Sequence, residues 1–214
     1  MRIYEFLVMR SKMRYVFMLA LWMGLSGLGV QAQKLSYSVT AGWGASRAED
    51  VSAFHAFNLG AKADWYAFGE DKYSFVQAGL LFASKGWKDD VFSISEPFSC
   101  TQKCRLYYLE VPVHVGYTFS LGERTSLITT VGPYAAVGLG GKNKAWDIKS
   151  KPFKDGEYKR FDCGLGADVT LEYNRLQFGV GASFGLLRQT TDKWRMMGKL
   201  RHRTILVSLG YRLR

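Results

Sequence analysis

The sequence predicts an all-β protein, a single eight-stranded antiparallel up-and-down transmembrane β-barrel. Three observations carry that reading. Two-residue alternation recurs eight times in the chain after residue 33. The connections between these runs alternate long and short, as in a meander with long loops at one end and tight turns at the other. The faces of the alternating runs are also unequal: one is apolar, the other is glycine, small or charged. Glycine inside a strand loses entropy and packs nothing, and a soluble sandwich would set long charged residues on its wet face instead. The lumen of an eight-stranded barrel is only wide enough for side chains to fill it. Small residues relieve crowding there, lipid solvates the apolar face, and closure satisfies every strand edge.

The elements follow in order. Met13–Val30 is an apolar run of signal-peptide length, preceded by Arg2, Arg10, Lys12 and Arg14 and followed by the small-residue site Val30-Gln31-Ala32. The competing reading, a membrane anchor, suits it less well, because the run is short, ends glycine-rich and meets no basic stop-transfer cluster. Residues 1–33 are therefore expected to be a cleaved signal peptide, with translation starting at Met1, Met9 or Met13, and residues 34–214 the barrel. Removing the signal takes away four basic residues and one acidic one, lowering the formal charge from +11 to +8. In an exported chain that balance argues for an anionic surface such as lipopolysaccharide phosphate, and against nucleic acid.

The expected strands are Lys34–Gly44, His55–Tyr66, Tyr73–Trp87, Arg105–Phe119, Arg124–Gly140, Tyr158–Glu172, Leu176–Arg188 and His202–Leu213. Long connections lie at Ala45–Phe54, Lys88–Cys104, Gly141–Glu157 and Gln189–Arg201, and short ones at Ala67–Lys72, Ser120–Glu123 and Asn174-Arg175. In the second strand Phe57, Leu59, Ala61, Ala63 and Trp65 oppose Asn58, Gly60, Lys62 and Asp64. In the sixth, Phe161, Cys163, Leu165, Ala167, Val169 and Leu171 oppose Asp162, Gly164, Gly166, Asp168, Thr170 and Glu172. The seventh sets Leu176, Phe178, Val180, Ala182, Phe184 and Leu186 against Gln177, Gly179, Gly181, Ser183 and Gly185. The eighth sets Ile205, Val207, Leu209, Tyr211 and Leu213 against Thr204, Leu206, Ser208, Gly210 and Arg212. Trp65, Tyr117, Phe119, Tyr173 and Tyr211 cluster near the short-turn ends, and Trp43, Phe57, Phe82 and Tyr107 near the long-loop ends. A membrane barrel places two such girdles at its interfaces.

Three segments, "YYLEVPVHVGYTF" (Tyr107–Phe119), "GPYAAVGLGGK" (Gly132–Lys142) and "GLGADVTLEYNRLQFGVGASFGLL" (Gly164–Leu187), resemble the PorT-type outer-membrane β-barrel family of Gram-negative bacteria. The likeness runs over essentially the whole mature chain. It implies an eight-stranded barrel in the outer membrane; only fold and location carry over, not the secretion role behind the family's name. The chain departs from the usual aromatic terminus of such barrels, ending Tyr211-Arg-Leu-Arg214.

Candidate sites are few. Gly138-Leu-Gly140-Gly141-Lys142 lacks the earlier glycine and the Ser/Thr of a phosphate loop, and Gly179-Val-Gly181-Ala-Ser-Phe184 follows no dinucleotide-binding unit. His114 falls on the lumen face with Glu110 four residues earlier, without a nucleophile nearby, and His55 and His202 read as loop-end residues; no enzyme, cofactor or metal site is expected. Cys100 and Cys104, expected in the longest loop, are a disulfide candidate in an oxidising compartment, while Cys163 points toward lipid. Lys62, Asp64, Lys85, Glu110, Asp162, Asp168, Glu172 and Arg212 form the expected lumen charge network, either a mutually paired plug or a conduction path. Lys142, Lys144, Trp146, Lys149, Lys193, Trp194 and Arg195 are the candidate surface-loop contacts, basic residues beside tryptophan that suit lipopolysaccharide or an acidic partner.

Two function classes follow. One is a monomeric structural or interaction barrel, embedded in outer-membrane lipid, presenting surface loops and open to an export or surface protein partner. The other is a small porin-like channel or carrier of solutes. A soluble lipocalin-like ligand binder is a third, which would put the apolar face inside.

Overall fold

Asn174 and Arg175 make the tightest turn among the described residues. Asn174 sits at φ 57°, in the left-handed region that asparagine tolerates better than most residues, so two residues suffice to reverse the chain. The computed structural model describes residues 34–48, 52–66, 73–92, 99–145, 148–155, 158–189 and 201–213. Its strands are β1 (Lys34–Arg47), β2 (Ser52–Tyr66), β3 (Ser74–Phe92), β4 (Ser99–Ser120), β5 (Thr125–Ala145), β6 (Ile148–Ser150), β7 (Phe161–Tyr173), β8 (Leu176–Gly185) and β9 (Arg203–Arg212). All pairings are antiparallel. The order β4-β3-β2-β1-β9-β8-β7-β5 is closed by a β4–β5 pairing, and the three-residue β6 hangs on the outer end of β5. The result is a closed eight-stranded barrel with one appended strand.

Lipid-compatible residues cover its outside. Val39, Leu59, Val115, Val131, Val169, Val180 and Val207 are all exposed, whereas their strand neighbours Ser38, Thr40, His114, Thr130 and Gly179 turn inward. Aromatic rings encircle the wall at two heights. Tyr73, Tyr117 and Phe119 contact one another at the short-turn end, and Phe57, Phe82 and Tyr107 at the other. Along β4 the ten steps from Tyr107 to Tyr117 span about 33 Å of strand. At a tilt of about 40° this is about 25 Å along the barrel axis, the height of an outer-membrane apolar band.

Glycines face the lumen where neighbours leave no room. A Cβ on Gly164 would strike the Phe184 carbonyl oxygen and come within 2.7 Å of the Tyr134 ring, and one on Gly116 would enter the Phe75 ring.

The strands differ from the sequence expectation at their outer ends. β3 and β4 continue to Phe92 and from Ser99, so most of the expected 17-residue connection Lys88–Cys104 is a strand hairpin rising above the outer girdle. β5 likewise runs on to Ala145 and β6 was not expected, while β8 stops at Gly185, short of Arg188. Above the membrane both faces of a strand can meet water, so the apolar-polar alternation that marked the strands below fades there.

One expectation is corrected by this extension. Cys100 and Cys104 lie on the same uninterrupted strand, opposite Val91 and Trp87. Four residues of extended chain hold their Cα atoms about 13 Å apart, whereas a disulfide needs roughly 7 Å or less. This backbone does not join them. Cys163 faces outward from β7 as a free thiol, half-buried.

Candidate functional site

The lumen is filled by three layers of charge, each built by alternation on different strands. Nearest the short turns, Arg212 of β9 donates from Nε to Glu172 Oε2 at 2.6 Å and from Nη1 to Ser36 Oγ at 2.6 Å, with Asp64 Oδ2 3.6 Å away. Gln77 and Gln177 donate to Asp64 and Glu172, each at 2.7 Å. In the middle layer Lys62 Nζ stands 3.8 Å from Asp168 Oδ2, which also accepts from the Thr130 hydroxyl at 3.3 Å. His114 Nδ1 lies 3.6 Å from the same carboxylate. Its partner is thus Asp168 on β7, one strand beyond the neighbouring β5; Glu110, four residues earlier on the same extended strand, is about 13 Å of backbone away.

The outer layer is the most deeply buried. Lys85 Nζ sits 2.9 Å from Glu110 Oε2 and 3.2 Å from Asp162 Oδ2, over the Tyr134 ring at 4.3 Å from its centroid. Gln189 Nε2 donates to Asp162 Oδ1 at 2.8 Å and the Tyr134 hydroxyl to Oδ2 at 3.3 Å. Burying such a carboxylate demands partners of this kind. All eight lumen charges anticipated from the sequence fall within the three layers.

Above them comes an apolar cap for which the sequence offered little warning. Trp87, Leu106, Tyr108, Phe153 and Tyr158 are buried together. Trp87 meets Tyr158 edge-on at 5.3 Å, and Tyr108 meets Phe153 edge-on at 5.7 Å. Pro152 and Phe153 belong to the lysine-rich segment between β6 and β7, which turns inward so that Phe153 lies against Gly138. The signal was an apolar Pro-Phe pair and a tyrosine inside an otherwise basic loop. His202 is buried in the cap as well, against Trp87 and Tyr108, rather than exposed at a loop end. Burial, with Lys85 adding to it, pushes its imidazole down to about 3. His55, in contrast, is exposed and stacks on Trp43.

Between outer and middle layers remains a cavity of about 60 Å³, and between middle and inner layers one of about 20 Å³. Lys62 and Asp168 line both and divide them. Spaces of this size hold a few waters. Chemically the arrangement is an electrostatic lock: each cation meets at least one carboxylate from a strand that is not its neighbour, so the lumen braces the barrel from within.

The outer rim carries the remaining candidates. Lys142 and Lys144 are exposed on β5, and Lys149 pairs through its backbone with Lys144. Trp146, Lys193, Trp194 and Arg195 lie outside the described residues. No group of three or more His, Cys, Asp or Glu with metal-binding geometry occurs among the described residues.

A family model described as the outer membrane protein β-barrel domain matches residues 31–188. No curated protein matches the sequence. Similar solved structures include neisserial surface protein A, 9% identical, covering 85% of this chain and 99% of that one at a TM-score of 0.47. Ail of Yersinia pestis is 14% identical, with 84% and 97% covered and a TM-score of 0.40. A major outer membrane protein of Thermus thermophilus is 12% identical, with 84% and 99% covered and a TM-score of 0.49.

Proposed function

The chain belongs to the outer membrane protein β-barrel domain family, and on that premise we propose that it is a sealed barrel of structural or interaction type that works through its outer rim. The observation that supports this is the lumen itself. Three ion-pair layers and an aromatic cap stand in series, and the spaces between them hold only a few waters. A solute would have to break an ion pair at every layer, which runs against the channel or carrier reading. The soluble lipocalin-like reading fares worse, because Val169, Val180 and Val207 face outward.

In this reading residues 1–33 are a signal peptide removed on export, the barrel is a monomer in outer-membrane lipid, and lipopolysaccharide surrounds its outer end. The finer part of this reading is assistance to an export complex through a protein partner docked on the rim. Planar-bilayer recording of the purified barrel tests the sealed lumen. No stable conductance is expected from the native chain. Persistent single-channel steps from pure protein would overturn the proposal in favour of a channel.

A further inference from the structure

The wall of the barrel has a gap. Val137 is the last β5 residue to pair with β7, the Gly138 N–H still donates to the Arg160 carbonyl, and Asn143 is the first to pair with β6, so the β5 edge from Leu139 to Lys142 has no strand beside it. The chain departs inward here, carrying Phe153 into the cap. What remains is a groove of about 530 Å³, within the range of sites that hold small ligands. Its floor is Leu139, Gly140, Gly141 and Phe153, and Lys142, Lys144, Lys151, Lys154 and Arg160 stand around it.

Position and charge together identify an occupant. Gly140 pairs with Tyr107 of the outer aromatic girdle, which puts the groove at the level of the outer-leaflet headgroups. Below it, Leu139 and Val137 continue the exposed apolar band of β5. The rim cations also oppose one another. Cross-strand register sets Lys142 opposite Arg105, and Lys144 between Lys103 on β4 and Lys149 on β6. Like charges directly opposite destabilise a sheet, and no described carboxylate forms an ion pair with any of the five cations around the groove. The strands carry a row of positive charge that an external anion would neutralise.

We infer that this groove is a binding site for a phosphorylated acylated glycolipid of the outer leaflet, the lipid A moiety of lipopolysaccharide. The phosphate lies among Lys142, Lys144, Lys151, Lys154 and Arg160, and an acyl chain runs down over Gly140 and Leu139 into the membrane band. The assignment rests on the outer-membrane reading above and specifies the lipid contact that reading leaves general.

Two variants separate charge from shape. Replacing the five cations with glutamine removes the charge. Gly140→Trp fills the floor and leaves the charge, and it should fold because a Cβ at Gly140 meets nothing within 4 Å. The mature barrel is placed in phosphatidylcholine nanodiscs doped with bisphosphorylated or dephosphorylated lipid A, folding is checked by the gel-mobility shift on heating, and lipid retained on the protein is measured by native mass spectrometry. The native barrel should retain bisphosphorylated lipid A and discriminate against the dephosphorylated form. The glutamine variant should bind at least about tenfold more weakly, since a cation near an anionic headgroup contributes about fivefold on its own, and Gly140→Trp should lose retention with its charge intact. Full binding by Gly140→Trp with loss in the glutamine variant would reduce the effect to general surface attraction and overturn the groove. Equal retention of the dephosphorylated lipid, or equal displacement by millimolar inorganic phosphate, would overturn it also. If Gly140→Trp failed the mobility check, the smaller Gly140→Leu takes its place as the shape variant, with the same outcomes. A negative result here leaves the conductance test untouched, so the two proposals fail separately.

Discussion

Lys85→Met removes the cation at the centre of the outermost charge layer while nearly conserving the volume of the side chain. In the native lumen the ammonium lies 2.9 Å from Glu110 and 3.2 Å from Asp162. At an effective dielectric constant of about 20, each contact represents about 5–6 kcal/mol of gross attraction. Most of that is offset by the desolvation of three charges, so the net worth of the cluster is far smaller. The substitution does not return the molecule to a neutral reference, however. Asp162 keeps only its bonds from Gln189 and Tyr134, Glu110 loses its cation, and both carboxylates remain buried. Breaking a buried pair in this way costs about 3–5 kcal/mol. Urea unfolding in detergent micelles or lipid vesicles, followed by tryptophan fluorescence and by gel mobility, reads the loss. The triple variant Lys85→Met, Glu110→Leu, Asp162→Asn should recover most of it, because it removes the stranded charges together. A loss below about 1 kcal/mol for Lys85→Met, or no recovery in the triple variant, would refute the view that this layer is a mutually dependent lock.

Two further predictions concern the wall and the cap. Val180 is 55% exposed at the middle of β8, so Val180→Arg should cost about 2–4 kcal/mol in a bilayer; urea unfolding in vesicles checks it, and tolerance would count against the assigned faces. His202 is neutral in the folded barrel down to about pH 3, against 6.5 for the free side chain. As pH falls below 6.5 the unfolded chain takes up a proton that the folded one refuses. Stability from this residue should therefore fall by about 1.4 kcal/mol per pH unit, or about 2 kcal/mol by pH 5. His202→Leu should flatten that slope in a pH series of unfolding midpoints, and an unchanged slope would show that the histidine is not held neutral.

The parts of this molecule that were legible in its sequence are those where lipid imposes a simple rule. Between the girdles each strand must show hydrocarbon to the membrane and compact or paired groups to a narrow lumen. Val169 beside Asp168, or Val180 beside Gly181, therefore reads as a face assignment without any structure. Outside the girdles water accepts either face, and the rule lapses: Lys88, Asp89 and Asp90 continue β3 without looking like a strand. The same loss of contrast made Cys100 and Cys104 look like loop residues. Spacing could nominate the lumen charges but not their partners, because pairing depends on cross-barrel geometry. Lys85 meets Asp162 over a separation of 77 residues. Phe153 and Tyr158 were hidden for a different reason, since an inward-turning loop has no period to detect.

The meeting of β1 with β9 has a consequence for how the barrel comes into being. Every other pair around the ring joins consecutive wall strands, and can form as soon as its hairpin does. The β1–β9 seam joins residues as distant as Ser38 and Arg212. Closing so long a loop costs about 4–5 kcal/mol of chain entropy, so the seam is the step that contacts of high sequence separation make slow. Until then the growing sheet has two bare edges that can pair with a neighbouring chain. Arg212 spans the seam when it forms, from the last strand to Ser36 on the first and Asp64 on the second. Those bonds cannot exist in any open intermediate. They reward only the completed circle, and so act as a clasp whose strength is felt in the rate of unfolding rather than in the rate of assembly.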